Sequence, residues 1–358
     1  MTERIERLMA MLPKETGCAI INSDVNRRYF TGMLSSAGTL VCFRDAAYLI
    51  IDFRYIEKAR NTVSGCEVIL QNNLYEQIKE LLIKHNVNRI SVESMELTLS
   101  DFKQLSEKLG DSVEFDSSDS LSRAIYSCRM IKYSSEIEKI QEAQKLAEEA
   151  FSHILEFIHE GVTEREIQLE LDFTMMRLGA EELSFPTIAL TGKNTSMPHG
   201  VPSDKCRVKN GDFVLMDYGA VVDGYHSDMT RTVAVGEPSD EMKNVYNIVL
   251  EAQEKALDAV CAGIAGNRLD GIARESISNA GYGEYFGHSL GHGVGMEIHE
   301  YPNASPLSRA IMHSGNVITI EPGIYLPGKF GVRIEDFILV TENGCKNFTH
   351  APKNMIIL

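Results

Sequence analysis

An Asp-Gly dipeptide at residues 223–224 separates two strand-like segments, and it restricts the possible folds of this chain more than any other feature. Both central residues of a two-residue type I′ turn need a positive φ, which favours Asp-Gly there. Such a turn sets the register of the hairpin and puts Asp217 opposite Thr230. Asp228 then lies diagonally across from Asp217 on the same face of the ribbon, where two carboxylates can reach one point. The sequence allows either a shared cation between them or two solvated acids on an exposed face.

Two glutamates lie in apolar strand-like segments further along the chain. Glu321 ends the run NVITI, and Glu335 lies within VRIEDFILV. Burying an unpaired charge is costly, so each carboxylate needs a partner. For Glu335 the sequence leaves two partners open, Arg333 on the same strand face or a metal ion. The neighbouring Asp336 points to the opposite face, and we expect it to be structural.

The segment FGHSLGHGVGMEIHEYP, residues 286–302, contains three histidines, His288, His292 and His299. Its glycines disfavour a helix, so it is not the zinc-binding helix HExxH, and it lacks the glycine spacing and the lysine of a phosphate-binding loop. Glycines instead allow a backbone and a ligand to approach each other closely. Hydrogen bonding to loop backbone could explain one histidine, but three in this segment favour a site.

Four carboxylates and one imidazole form an oxygen-rich ligand set without sulfur. Such a set suits a pair of divalent ions, most readily manganese, while the imidazole also admits cobalt, iron or zinc. Two ions about 3.5–4 Å apart can hold a shared water molecule as hydroxide near neutral pH, and this hydroxide can attack a carbonyl group. The remaining histidines could stabilise an oxyanion or hold the substrate.

Composition excludes several classes of partner. The chain has 35 basic and 51 acidic side chains and a net charge of −16, and an acidic surface repels phosphate backbones, so we expect no nucleic-acid partner. The seven cysteines contain no CxxC pair, and no apolar run approaches the length of a membrane span. We therefore expect a cytoplasmic protein without disulfides or membrane segments.

The pattern along the chain predicts two domains, residues 1–125 and 126–358. In the first, short apolar runs alternate with helical segments, including 73–85 and 99–109, which indicates an α/β domain. The second combines long helices with paired strands, which indicates an α+β domain. Capping patterns predict that its first two helices begin near Ser135, with Glu138, and near Thr163, with Glu166.

The ordered motifs DYGA, SDMTRT, GHGVG, HE, EPGIY and RIED resemble the pita-bread metallopeptidases, in particular the aminopeptidase P and prolidase branch. NRRYFTGM and IDFRY are similar to the creatinase-type N-terminal domain of that branch. The resemblance implies an α+β pita-bread (creatinase/aminopeptidase) catalytic domain after a smaller α/β domain, and a homodimer. It implies hydrolysis of the Xaa-Pro peptide bond in proline-containing peptides, by an Xaa-Pro dipeptidase ahead of an Xaa-Pro aminopeptidase that takes longer peptides.

The resemblance also implies the five metal ligands. Asp217 is expected to bind one ion through both oxygens, and Asp228 and Glu335 are expected to bridge two ions. His292 and Glu321 are expected to complete the coordination of the second ion, and Glu321 is also a candidate proton shuttle.

Other residues are expected around the metals. His199, in MPHG, resembles a histidine that faces the active site from a loop, and His288 and His299 resemble histidines that contact the scissile carbonyl or the substrate. Arg333 resembles an arginine near the bridging glutamate, and Phe185 resembles a pocket-wall residue.

Three other readings stay open. Methionine aminopeptidase has the same fold but usually lacks an N-terminal domain such as the one expected here. A metal-free, creatinase-like enzyme would lack the acidic ligands, and a non-catalytic binding module would have lost one or more of them. All five ligand positions are filled in this chain.

Overall fold

The computed structural model describes residues 1–358. The chain divides into two compact units, Met1–Arg129 and Met130–Leu358. None of its helices combines the length and the apolar character that crossing a membrane requires.

The chain up to residue 130 is built around one mixed sheet of six strands. Its elements are α1 Glu3–Met11, β1 Cys18–Ile21, α2 Asp24–Thr31, β2 Thr39–Phe43, β3 Ala47–Ile51, α3 Ile56–Thr62, β4 Glu67–Leu70, α4 Leu74–Lys84, β5 Arg89–Val92, α5 Leu99–Leu109, β6 Glu114–Asp116 and α6 Ser120–Met130. The strand order is β4-β3-β2-β1-β5-β6. Strands β1 to β3 are buried along their whole length, as expected for apolar runs covered on both faces. The predicted α/β class is confirmed.

The second unit contains four long helices and several antiparallel sheets. Its elements are α7 Ser134–Phe157, α8 Glu164–Leu178, β7 Glu182–Leu183, β8 Ile188–Thr191, β9 Asp212–Tyr218, β10 Ala220–Val222, β11 Tyr225–His226, β12 Met229–Val235, α9 Asp240–Ala259, α10 Gly266–Asn279, β13 Gly291–Gly293, β14 Glu300–Ala304, β15 Val317–Ile320, β16 Gly323–Leu326, β17 Phe330–Arg333, β18 Asp336–Thr341 and β19 Gly344–Asn347. The sheets have the orders β11-β10-β7, β12-β9-β8, β14-β13-β15-β18-β19 and β16-β17. The predicted α+β class is confirmed.

Two apolar clusters form the core of this unit. In one, Phe151 of α7 and Ile167 of α8 pack with Val214 of β9. In the other, Val249 of α9 and Ala273 of α10 pack in one cluster with residues of β15 to β18. Strands β9 and β12 contribute to both clusters, for example Val214 to the first and Phe213 to the second.

Both helices begin within one residue of the predicted starts, but only one of the two predicted capping pairs is correct. Thr163 caps α8, because its hydroxyl accepts a hydrogen bond from Glu166 N–H at 3.1 Å and its own N–H donates to Glu166 Oε2 at 2.8 Å. Helix α7 begins at Ser134, after Tyr133, whose N–H donates to Glu136 Oε2 at 2.6 Å. Ser135 therefore lies inside the first turn, because Glu136 supplies the carboxylate that reaches back.

The predicted Asp-Gly hairpin is confirmed. Asp223 and Gly224 have φ of 50° and 82°, and Thr230 lies directly opposite Asp217. The strand pairing of the hairpin is interrupted between the β9–β12 pair and the β10–β11 pair. At this point a Cβ on Gly219 would lie only 2.0 Å from Ser227 O. Only glycine permits this close approach, which brings the strands together immediately beside Asp228.

Candidate metal centre

Three carboxylates from distant parts of the second unit meet at one point. Asp217 lies near the end of β9, Asp228 immediately precedes β12, and Glu335 lies between β17 and β18. One oxygen from each lies within 4.8 Å of an oxygen of the other two. Asp228 is 4% exposed and Glu335 is 1% exposed. The hairpin supplies two of these acids, and the segment between β17 and β18 supplies the third.

His292 and Glu321 complete the cluster. His292 Nε2 lies 3.6 Å from Asp228 Oδ2 and 3.4 Å from Glu321 Oε1. Both residues are oriented by Thr319 of β15, whose hydroxyl accepts a hydrogen bond from His292 N–H and donates one to Glu321 Oε1, each at 3.2 Å. The five side chains predicted as metal ligands are thus brought together by the fold.

The acids in this cluster cannot all carry a charge at neutral pH without a cation. Burial and the nearby carboxylates raise the pKa of Asp228 and of Glu335 well above their usual range, and burial raises the pKa of Glu321 to about 8. Burial lowers the pKa of His292 to about 4, so its imidazole is neutral and available as a ligand. Asp228, Glu321 and Glu335 therefore take up protons or metal cations in preference to holding three unpaired charges.

Two carboxylate oxygens support a metal site directly. Asp217 Oδ1 and Glu335 Oε1 are buried and have no hydrogen-bond partner in the protein. The other oxygen of each is occupied, by Arg333 Nη2 and by the Thr230 hydroxyl respectively. Buried polar atoms in proteins are almost always satisfied, so the two free oxygens fit ligation of divalent cations, as does the donor set of oxygens and one imidazole.

Arg333 does not pair with Glu335, which was one of the two partners that the sequence left open. Its guanidinium pairs with Asp217, and its Nε donates at 3.0 Å to Thr230 Oγ1, which in turn donates at 2.7 Å to Glu335 Oε2. Strand β17 ends at Arg333, and Glu335 lies outside both flanking strands. The alternation of faces that the sequence pattern assumed stops there, so the two side chains need not share a face.

Sequence reasoning missed two residues of this network. Thr230 joins Arg333 to Glu335, and its position opposite Asp217 in the predicted register could have revealed it. Tyr325 accepts a hydrogen bond from Arg333 Nη1 at 2.8 Å, and its place at the end of the motif EPGIY was the signal that could have found it.

His288 is connected to the cluster through Tyr325. Its Nδ1 lies 2.8 Å from Ser289 O and its Nε2 lies 2.9 Å from Tyr325 Oη. A carbonyl only accepts, so Nδ1 carries the proton and Nε2 accepts from the Tyr325 hydroxyl. Burial lowers the pKa of His288 to about 4, which keeps the ring neutral.

The other predicted histidines lie around the cluster. The rings of His299 and His292 have centroids 4.4 Å apart. Partial burial, with a smaller contribution from nearby His199, lowers the pKa of His299. His199 is exposed and Phe185 is half-buried, and a substrate role for either stays a prediction.

Asp336 faces away from the cluster, as expected. It forms an ion pair with Arg231 at 2.8 Å, and both side chains are 1% exposed. The side chains of Glu335 and Asp336 thus have different partners, although Arg231 also donates to the backbone carbonyl of Glu335.

Comparison with known proteins identifies the two domains of the chain. Residues 4–131 match the creatinase/prolidase N-terminal domain, and residues 138–342 match metallopeptidase family M24. The chain is 38% identical to the Xaa-Pro dipeptidase of Pyrococcus furiosus over 358 residues, which are 99% of this chain and 100% of the relative.

Solved structures agree over the whole chain. An Xaa-Pro dipeptidase from Bacillus anthracis has a TM-score of 0.95 and 40% identity and covers 99% of both chains. An X-Pro aminopeptidase from Thermotoga maritima MSB8 has a TM-score of 0.92 and 37% identity, covering 99% of this chain and 100% of the other. The two-domain fold implied by the sequence resemblance is confirmed.

Proposed function

The chain belongs to metallopeptidase family M24, and we propose that it is an Xaa-Pro dipeptidase that hydrolyses the peptide bond before a proline. The observation that carries this proposal is the convergence of Asp217, Asp228 and Glu335, two of which keep a buried oxygen without a partner in the protein. Relatives that match over their full length, among them the dipeptidases of Pyrococcus furiosus and Bacillus anthracis, support the substrate class.

We assign the cluster of Asp217, Asp228, His292, Glu321 and Glu335 to two divalent ions. Manganese suits the oxygen ligands best, and cobalt, zinc and iron also suit a set that includes an imidazole. Such ions supply Lewis acidity, which polarises a peptide carbonyl and lowers the pKa of water. Arg333 holds one oxygen of Asp217 and leaves the other free to bind an ion. Binding of an ion through both oxygens, which the resemblance implied, would require Asp217 to share its second oxygen with Arg333.

The remaining residues act on the substrate and its protons. We assign Glu321 to carry a proton to the leaving proline nitrogen, because its side chain is 17% exposed, against 6% for Asp228, and is thus the more accessible acid. His288, His299 and His199 are assigned to hold the peptide and its carbonyl. A neutral imidazole such as that of His299 suits this role, because it can donate a hydrogen bond to a developing oxyanion. Both ring nitrogens of His288 are already bonded to Ser289 and Tyr325, so His288 has no free N–H to donate in this structure. Phe185 is assigned to the pocket wall.

An Xaa-Pro aminopeptidase is the second candidate, because the X-Pro aminopeptidase of Thermotoga maritima matches the chain over its full length. The two activities differ only in whether the cleft accepts residues after the proline. We further propose, from the family resemblance alone, that the enzyme works as a homodimer in the cytoplasm.

Product analysis with Ala-Pro, Ala-Pro-Gly and Ala-Pro-Gly-Gly tests the proposal. A dipeptidase with manganese cleaves only the first peptide. Release of alanine from the longer peptides would identify an aminopeptidase. Absence of cleavage of all three by protein with bound metal would refute both activities.

A further inference from the structure

Glu164 is a fully buried carboxylate outside the metal cluster. It is the first residue of α8 and is 0% exposed. Its Oε1 accepts hydrogen bonds from Thr191 N–H and Asn194 Nδ2, both at 2.9 Å, and its Oε2 accepts one from Ser203 N–H at 3.0 Å. The N-terminal end of a helix favours a negative charge, and the three donors provide hydrogen bonds to both carboxylate oxygens.

The three donors lie at the two ends of one segment, residues 191–203, which we call the His199 loop. Its middle is packed tightly on β17. Thr195 Oγ1 accepts a hydrogen bond from Gly331 N–H at 2.8 Å, and a Cβ on Gly331 would lie 2.2 Å from Thr195 O. The carbonyl of Pro198 lies 3.4 Å from Arg333 Nη1. The loop is therefore attached to the network of the metal cluster in its middle and to Glu164 at its ends.

His199 directly follows that Pro198 carbonyl and lies near both His288 and His299, whose pKa values it helps to lower. The His199 side chain is exposed. Its position therefore depends on the backbone of the loop. The hydrogen bonds at the two ends of the loop therefore act together with the contacts of its middle in setting the position of His199.

We propose that Glu164 is a positioning residue, whose carboxylate closes the His199 loop and holds His199 beside the substrate. This inference rests on the proposed function, in which His199 contacts the peptide. Glu164 touches neither the metal ligands nor the substrate and acts only through the loop.

Glu164→Gln tests the proposal with little change in volume. The amide nitrogen of glutamine cannot accept a hydrogen bond, so at least one end of the loop loses its acceptor. We expect kcat/KM on Ala-Pro to fall about tenfold, mainly through KM, because a charged hydrogen bond is lost. Metal content should be unchanged. Hydrogen exchange should become faster at the Thr191 and Ser203 amides.

Glu166→Gln is the matched control. Glu166 lies in the same helical turn, but its carboxylate bonds to Thr163 and to no residue of the loop. This variant should lower Tm while leaving KM and loop exchange as in the wild type. If Glu164→Gln does not fold, Asn194→Ala removes one of the same bonds from the loop side and should raise KM in the same direction.

A double-mutant cycle with His199→Ala separates positioning from general destabilisation. If Glu164 acts through His199, adding Glu164→Gln to His199→Ala causes no further loss of kcat/KM. The proposal would be overturned if the losses of kcat/KM in the two single variants multiply in the double variant. It would also be overturned if Glu164→Gln leaves hydrogen exchange in the loop as in the wild type. Failure of the proposed function has a different signature, because a wild type inactive on Ala-Pro would still give a decisive exchange result for the loop.

Discussion

Arg333 forms its ion pair with Asp217. It reaches Glu335 only through the hydroxyl of Thr230. This arrangement uses one oxygen of Asp217 and one of Glu335 and leaves Asp217 Oδ1 and Glu335 Oε1 without protein partners. One buried cation thus orients two acids while leaving each able to bind metal.

Replacing Arg333 should destabilise the ion-free protein strongly. Arg333→Met leaves Asp217 buried beside three other acids without its cation, and removing one partner of a buried pair costs about 3–5 kcal/mol. Saturating manganese should recover part of this loss, because bound ions replace the missing charge. Urea unfolding with chelator and with manganese measures both values. Equal destabilisation under the two conditions would contradict an electrostatic role beside the ions.

Thr230→Val should weaken metal binding. The substitution leaves Glu335 Oε2 and Arg333 Nε without their shared partner, and losing a residue that orients a metal ligand typically costs about 10–100-fold in affinity. Titration calorimetry with manganese measures the change.

Thr232→Val is a matched control for this change. Thr232 is also buried on β12, but its hydroxyl bonds only to the backbone of Arg333, donating to the carbonyl at 3.0 Å and accepting from N–H at 3.4 Å. The Thr232→Val variant should have a free energy of unfolding lower by about 1–3 kcal/mol, because buried backbone groups lose their partner. Its metal affinity should change little. Similar loss of affinity in both variants would show that the Thr230 hydroxyl has no special role.

Glu335→Gln and Asp228→Asn should each lower metal occupancy and reduce kcat by at least about 100-fold, because each removes a charged ligand. Asp336→Asn is the control, since this acid is adjacent to Glu335 but pairs with Arg231. It should reduce stability and retain metal and activity. Elemental analysis and Ala-Pro hydrolysis distinguish these outcomes, and wild-type turnover by both ligand variants would refute the assignment.

Removing the metal should make stability sensitive to alkaline pH. Glu321 has its pKa raised from 4.5 to about 8, so the folded, ion-free protein retains a proton that the unfolded chain has released. The resulting stabilisation is complete below pH 4.5 and is lost as pH rises through about 8.

The histidines of the site have the opposite effect at lower pH. His288 and His292 have pKa values lowered from 6.5 to about 4, so they reduce stability only as pH falls below 6.5. Between about pH 6.5 and 8, only the carboxylates of the site contribute to the pH dependence of stability. The difference in Tm between manganese-loaded and chelated protein should therefore widen over this interval, since ions replace protons on the ligands. A constant difference would contradict the assigned pKa shifts.

Much of the second unit could be predicted from local patterns. Helix α8 was correctly placed by Thr163 and Glu166, whose reciprocal bonds span three residues. For α7 the pattern located the start within one residue but assigned the wrong capping pair, because a Tyr/Glu spacing overlaps the Ser/Glu spacing and Glu136 bonds to Tyr133 N–H. In the first unit, the short strand β6 and the helices α1, α2, α3 and α6 were not predicted, since short amphipathic segments carry little periodic signal.

The sequence by itself determined the hairpin at Asp223 and Gly224, and with it the position of Asp217 opposite Thr230. A tight turn allows few backbone conformations, and strand alternation carries its register outward. Only the tertiary structure decided that Arg333 pairs with Asp217 and that Thr230 connects it to Glu335. Those contacts join strands that are distant in the chain, so they depend on how the sheets pack.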